Sequence, residues 1–194
     1  MGLSKEDFFN ETMTVISQAD IDAVTVRRIA YGIGVSEAAM YRHFNGVDTL
    51  LDETFKYAER KLWRIFSDNL YRYGFSDLSF ESVLANAWQD TLTSLADLPS
   101  LAISSLRLYL SRRYEPLRDQ SVVTSDEFLA IRNIIESKMG PSSTGSQVAF
   151  ETTMKTCLIL SQDLIANRIK RDDEITGQLG KHLATIFTSI YKAG

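Results

Sequence analysis

The sequence predicts an all-α fold, and three observations carry that prediction. Apolar residues recur at spacings of three and four along most of the 194 residues. Only three prolines and ten glycines are present, too few for a chain of many short strands and turns. No segment alternates apolar and polar residues between turn signals, as a half-buried strand would. A hydrophobic content of 44% belongs to a globular protein rather than a disordered one. The length suits a small domain joined to a larger one, and no fixed repeat or low-complexity run points to a solenoid or fibre.

The elements follow in order. Lys5 to Gln18 forms the first helix, with Phe8, Phe9, Met13 and Ile16 as its apolar stripe. "ADIDAVT" breaks that pattern, and Thr25 is placed to cap a second helix of about eight residues, "VRRIAYGI". Gly34 supplies the left-handed residue after a helix end, and Val35 and Ser36 turn the chain into a third helix ending near Phe44. Asn45 and Gly46 interrupt again. "VDTLLDETFKYAERKLWRIFSDNLY" then forms one long helix that joins a head, residues 1–46, to a body, residues 47–194.

In the body, "SFESVLANAWQDTLTSLAD" is a helix with Ser79 and Ser82 as start signals, ended by Pro99. A shorter helix runs from about Ser100 to Arg112 and another from about Asp126 to Lys138, stopped by the loop "MGPSSTGS". Two long helices close the chain, about Gln147 to Arg171 and about Asp173 to Lys192. Their continuous apolar stripes either pack into the chain's own core or pair with a copy of it. The "RDDE" run at 171–174 reads as a solvated turn with an N-cap, not a metal site.

Composition narrows the function. The N-terminal "MGLSKEDFFNETM" lacks the apolar stretch of a signal peptide, and no run reaches the roughly 18 apolar residues of a membrane span, so a cytoplasmic protein without membrane contact is expected. Cys157, the one cysteine, sits amid helical apolar spacing and reads as a small core residue. His43 and His182 are far apart and no metal-ligand spacing occurs, so neither a metal nor another cofactor is expected. Without a phosphate loop or a cluster of acids, bases and nucleophiles, little remains from which to build an enzyme. The net charge of −4 gives no general attraction to nucleic acid, so DNA binding has to come from a local patch.

"TVRRIAYGIGVSEAAMYRHF" meets the physical requirements of a helix-turn-helix. Ala30 is small where two helices approach, Gly34 tolerates the turn, and Ile29, Ile33, Val35 and Met40 can bury between the helices. That leaves an outward face of Thr25, Arg27, Arg28, Ser36, Glu37, Ala38, Ala39, Tyr41, Arg42 and His43, mostly groups able to meet phosphate or a base edge. Ala38 and Ala39 give room for the helix to sit deep in a major groove, Glu37 can accept from a cytosine amine, and Arg42 can donate to guanine or phosphate. Met40 and Phe44 face inward.

Over Thr25 to Leu51 the chain resembles the TetR-type transcriptional regulators. The resemblance is carried by the threonine-capped helix, Ile29–Ala30, Gly34-Val35-Ser36, the run Tyr41-Arg42-His43-Phe44, and Asp48-Thr49-Leu50-Leu51. It implies a three-helix DNA-binding head, a helical body that binds a small-molecule effector, and a homodimer formed by the last two long helices. Thr25, Tyr41 and His43 fall on the family's phosphate-contacting positions, and Glu37, Ala38, Ala39 and Arg42 on its recognition helix. Such proteins usually repress, their ligand altering the spacing of two heads on a double-stranded, palindromic operator. The chain departs from the family where lysines commonly follow the recognition helix, since Asn45 and Val47 stand there. The first 51 residues hold four basic against seven acidic residues, a net −3, which predicts modest affinity with weak salt dependence.

The expected function is therefore a ligand-responsive, dimeric DNA-binding regulator, with a dimeric ligand-binding or interaction protein that has lost DNA affinity as the alternative. Trp63, Phe66, Trp88, Tyr109 and Phe128, with Thr91, Gln89 and Arg107 for polarity, are read either as plain core or as the lining of an effector cavity. His182 reads as an interface or half-buried residue, and Arg112, Arg113 and Arg118 as a solvated loop or an anion-binding cluster.

Overall fold

Helical periodicity and local capping, acting together, define nine α-helices and two 3-10 turns among the described residues, with no strand. The computed structural model describes residues 3–74, 76–114, 126–141 and 145–193. α1 (Lys5–Gln18) starts where the Ser4 N–H and hydroxyl both donate to Asp7 Oδ2, at 2.8 and 2.9 Å. It buries the expected stripe, and a 3-10 turn (Ile21–Ala23) leads to α2 (Val26–Ile33) and α3 (Glu37–Tyr41).

α4 (Val47–Gly74) has 28 residues and, at 1.5 Å per residue, a length of about 42 Å. It serves two hydrophobic cores. Leu50, Leu51 and Phe55 join Phe8, Phe9, Ile16, Ile29, Met40 and Phe44 in the head core. Ala58, Leu62, Trp63, Phe66 and Leu70 belong to the body core. The head core also takes in Leu108 and Tyr114, from far along the sequence.

α5 (Phe80–Ala96) is capped by Ser79, whose hydroxyl accepts from the Ser82 N–H at 3.3 Å. Pro99 opens α6 (Pro99–Leu110) as its first residue rather than merely closing α5. A proline there gives up an N–H that has no helical partner in any case. A 3-10 turn (Arg112–Tyr114) follows, and then α7 (Asp126–Met139), α8 (Gly145–Ile165) and α9 (Asp173–Ala193).

α8 ends six residues short of the expected Arg171. Asn167 adopts a left-handed φ of 54°, and the amides of Arg168 and Ile169 close on the Asp163 carbonyl at 2.8 and 3.2 Å. Asn tolerates that conformation better than most residues, which makes it a usable helix stop. The expected cap of the last helix is Asp172, which accepts from the Ile175 N–H at 2.9 Å.

α9 packs most extensively on α5, and the two backbones come close at Gly180. Cys157 lies fully buried in the body core, where burial pushes its thiol far above the ordinary value. Among the described residues no helix is long and apolar enough to cross a membrane.

Candidate nucleic-acid interface

The helix-turn-helix is fixed by three local devices. Thr25, in extended conformation, caps α2 by accepting from the Arg28 N–H at 3.2 Å. Gly34 has a φ of 80°, and the Val35 N–H beyond it closes on the Ala30 carbonyl at 2.9 Å, ending α2 in a left-handed turn that favours glycine. Ser36 starts α3 by accepting from the Ala39 N–H at 3.3 Å. Behind them Ile29, Ala30 and Met40 are buried.

Ser36, Glu37, Ala38, Tyr41 and Arg42 are exposed along one side of α3, as are Thr25, Arg27 and Arg28 on α2 and its cap. Tyr41 keeps 56% of its surface open. Arg27, Arg28 and Arg42 take part in none of the ion pairs among the described residues. Burial pushes the Glu11 carboxyl of α1 upward, against the pull of the nearby Arg28 guanidinium.

Two expectations for this face are corrected. Ala39 does not point outward: it is 4% exposed and packs inward beside Met40, because α3 is only one short turn lying against the head core. His43 lies beyond the end of α3 and is half-buried, its ring 5.2 Å from that of Phe8 and 6.2 Å from that of Phe44. Phe44 is buried in the head core as expected.

Charges from beyond residue 51 meet the head on both sides of its balance, and Lys5 is paired with Glu53 at 2.7 Å. Arg113, from the turn after α6, donates to Asp48 at 2.7 Å and lies 3.7 Å from Asp52. Glu6 accepts from the Tyr57 hydroxyl and stands 3.8 Å from Lys61. Two of the seven acids in the first 51 residues are thus faced by bases from beyond them. Arg113 therefore does not form an anion-binding cluster with Arg112, which is exposed, and Arg118 lies outside the described residues.

The predicted effector residues fall into separate groups within the body. Trp63 meets Phe128 edge-on at 5.6 Å, and Phe66 lies on Trp88 at 4.2 Å. Phe150, absent from the predicted set, links the groups, with its ring 5.7 Å from Trp63, 5.2 Å from Phe128 and 6.0 Å from Phe66. Its place one turn before Met154 on the stripe of α8 was the available signal. Tyr109 lies apart, against Phe55 at 6.0 Å, and donates to the buried Glu59 at 3.2 Å. Thr91 is spoken for: it donates to the Ala87 carbonyl at 2.7 Å and accepts from Asn69 at 3.2 Å.

Residues 8–54, which hold the capped α2, the glycine turn and α3, match the family model of bacterial regulatory proteins of the tetR family. That stretch is similar to the family's N-terminal head. No curated protein sequence matches it. Solved structures show that the TetR resemblance extends, as fold, through the body. A TetR family transcription regulator from Marinobacter aquaeolei VT8 aligns with a TM-score of 0.69 at 17% identity, covering 97% of this chain and 94% of its own. One from Shewanella sp. PV-4 aligns at 0.71 and 15%, covering 99% and 98%. The regulator FadR of Bacillus subtilis, in complex with stearoyl-CoA, aligns at 0.64 and 16%, covering 96% and 98%. These TetR-fold proteins are transcription regulators, not enzymes.

Proposed function

We propose that this chain is a homodimeric repressor that binds a palindromic DNA operator through residues 1–46 and releases it when the body, residues 47–194, binds a small-molecule effector. The observation that carries the reading is the capped α2–turn–α3 unit, which presents Tyr41 and Arg42 to solvent on a recognition helix whose other side is packed. Thr25, Arg27, Arg28, Ser36, Glu37, Ala38 and His43 complete the DNA-facing set, with Ala39 acting through packing. Phosphate contacts hold register, while Glu37, Ala38 and Arg42 read base edges.

Dimerisation through α8 and α9 fits the apolar surface left on the single chain. Val148 and Ile159 of α8 are 54% and 50% exposed, and Ile175, Ile186 and Ile190 of α9 are only partly covered. His182 is exposed in the single chain, so its proposed place is the dimer seam rather than a half-buried site within one protomer. A two-fold dimer reads successive major grooves when its recognition helices lie about 34 to 36 Å apart. An effector that prefers a body conformation with other head spacing lowers operator affinity by that preference and no more. Of the proposed effector residues, Trp63, Phe66, Trp88 and Phe128 lie nearest one another, with Thr91 and Tyr109 as outlying members, and a neighbour of this fold in complex with stearoyl-CoA supports a ligand with a long acyl chain.

The test is an anisotropy titration of the chain's own upstream DNA at low salt. Saturable, sequence-specific binding is expected, weakened about tenfold or more by Arg42→Ala with Tyr41→Phe while the protein stays folded. The second reading, a head without DNA affinity, is motivated by Asn45 and Val47 where turn lysines would stand. Saturable, sequence-specific binding at low salt rules that reading out.

A further inference from the structure

The chain has two tryptophans, Trp63 on α4 and Trp88 on α5. Both are fully buried, and neither indole Nε1–H has a hydrogen-bond partner. Buried indole donors usually find one. Tyr114 of the head core, and Thr54, Ser105 and Thr153, also carry unpartnered buried hydroxyls. A Ser or Thr hydroxyl on a helix, however, needs only to turn about one bond to reach a carbonyl of its own helix, as Thr12 does with Phe8 and Thr91 with Ala87. An indole N–H lies in the plane of a rigid ring, donates only, and has no such recourse.

The two indoles differ in what covers them. Trp88 lies against Phe66 within the α4–α5 pair. Trp63 instead meets Phe128 of α7 and Phe150 of α8, both edge-on. Among the described helices α7 leans chiefly on α4. Trp63 is thus covered in part by α7, and Trp88 by Phe66 of α4.

We propose that the effector is an apolar molecule bearing a hydrogen-bond-accepting oxygen, and that it enters between α4, α7 and α8 and accepts from Trp63 Nε1. The proposal rests on the reading of the body as effector-binding. A cationic amine, which brings donors only, leaves the indole unpaired and is rejected at this position.

Butyrophenone and butylbenzene share a carbon skeleton and differ by one carbonyl oxygen, so they isolate the proposed bond. Two tryptophans give two indole peaks in a nitrogen–proton correlation spectrum, assigned with Trp63→Phe and Trp88→Phe. Saturable binding of butyrophenone is expected, with a downfield shift of the Trp63 indole proton and affinity about tenfold above that of butylbenzene. Trp63→Phe abolishes that preference and Trp88→Phe keeps it; an unmoved Trp88 peak shows that Trp63→Phe is folded. Should Trp63→Phe unfold, the wild-type Trp63 peak decides. Equal affinity for the pair, a stationary Trp63 peak, a preference lost only in Trp88→Phe, or no saturable binding of either probe overturns the proposal. The operator titration is independent of all these outcomes, so the DNA-binding reading stands or falls separately.

Discussion

Arg107, near the end of α6, donates to the carbonyl of Ala19, the residue that closes α1, at 2.7 Å. The same guanidinium nitrogen also reaches the Ile16 carbonyl. A body helix thus supplies the cation that the last turn of α1 lacks, since that turn holds no basic residue of its own. The last carbonyls of a helix are unpaired and carry partial negative charge, so the contact ties head to body by both hydrogen bonding and the helix dipole.

Arg107→Ala is expected to lower stability by about 1–2 kcal/mol, read as the midpoint of chemical denaturation. Arg107→Lys should recover only part of the loss, because an ammonium keeps the charge but not the planar fork. Unchanged stability in the alanine variant would show that the contact is replaced by water at no cost.

Arg113 and Asp48 make a second tie, at the start of α4 beside the turn that follows the recognition helix. Removing the arginine leaves an unneutralised acid near the proposed DNA-binding face. Arg113→Ala should weaken operator binding about threefold at low salt, with the effect shrinking as salt rises. Adding Asp48→Asn should restore affinity, and a double variant no better than the single one would dissociate the pair from DNA binding.

Gly177 and Gly180 lie one turn apart on α9, facing α5, and make opposite predictions. A Cβ at Gly180 would meet the Ala85 carbonyl oxygen at 2.5 Å and the Gln89 backbone nitrogen at 3.0 Å, neither of which can swing aside. At Gly177 the nearest atom is the Gln89 side-chain oxygen at 3.6 Å, an ordinary contact. Gly180→Ala should destabilise by about 1–3 kcal/mol through forced separation of the helices. Gly177→Ala should be neutral or gain about 0.4–1 kcal/mol from reduced backbone entropy. Thermal melts of the two variants measure both.

Tyr114 gives an alkaline signature to the head core. Burial pushes its phenol from the ordinary value of 10 up to about 12. Between those values the unfolded chain has already released a proton that the folded chain retains, so this residue's contribution is full below pH 10 and falls as pH rises toward 12. Its hydroxyl has no hydrogen-bond partner. Tyr114→Phe should therefore leave stability near neutral pH unchanged or slightly higher, and flatten the alkaline loss seen in denaturation midpoints taken across that window.

The parts legible in the sequence were those set by neighbours along the chain. Thr25, Gly34 and Ser36 act through bonds to residues three to five positions away, so the helix-turn-helix could be placed from its letters alone. Ala38 and Ala39 were not separable in that way. Only the packing of a five-residue helix against Met40 and the head core decides which of two adjacent alanines is buried. The end of α8 was hidden because Ile169 prolongs the apolar spacing past a stop made by Asn167. The ties from Arg107 and Arg113 span 88 and 65 residues, and no periodicity connects their ends.

Leu108 and Tyr114 complete a core whose other members lie within residues 8–55. A fragment cut at residue 46 would lack Leu50, Leu51 and Phe55 as well as these two, and one cut after α4 would still lack Leu108 and Tyr114. Exchanging this head for that of a structural neighbour therefore requires transplanting the matching end of α6 and the turn after it as well. Head and body are interchangeable only as a fitted pair.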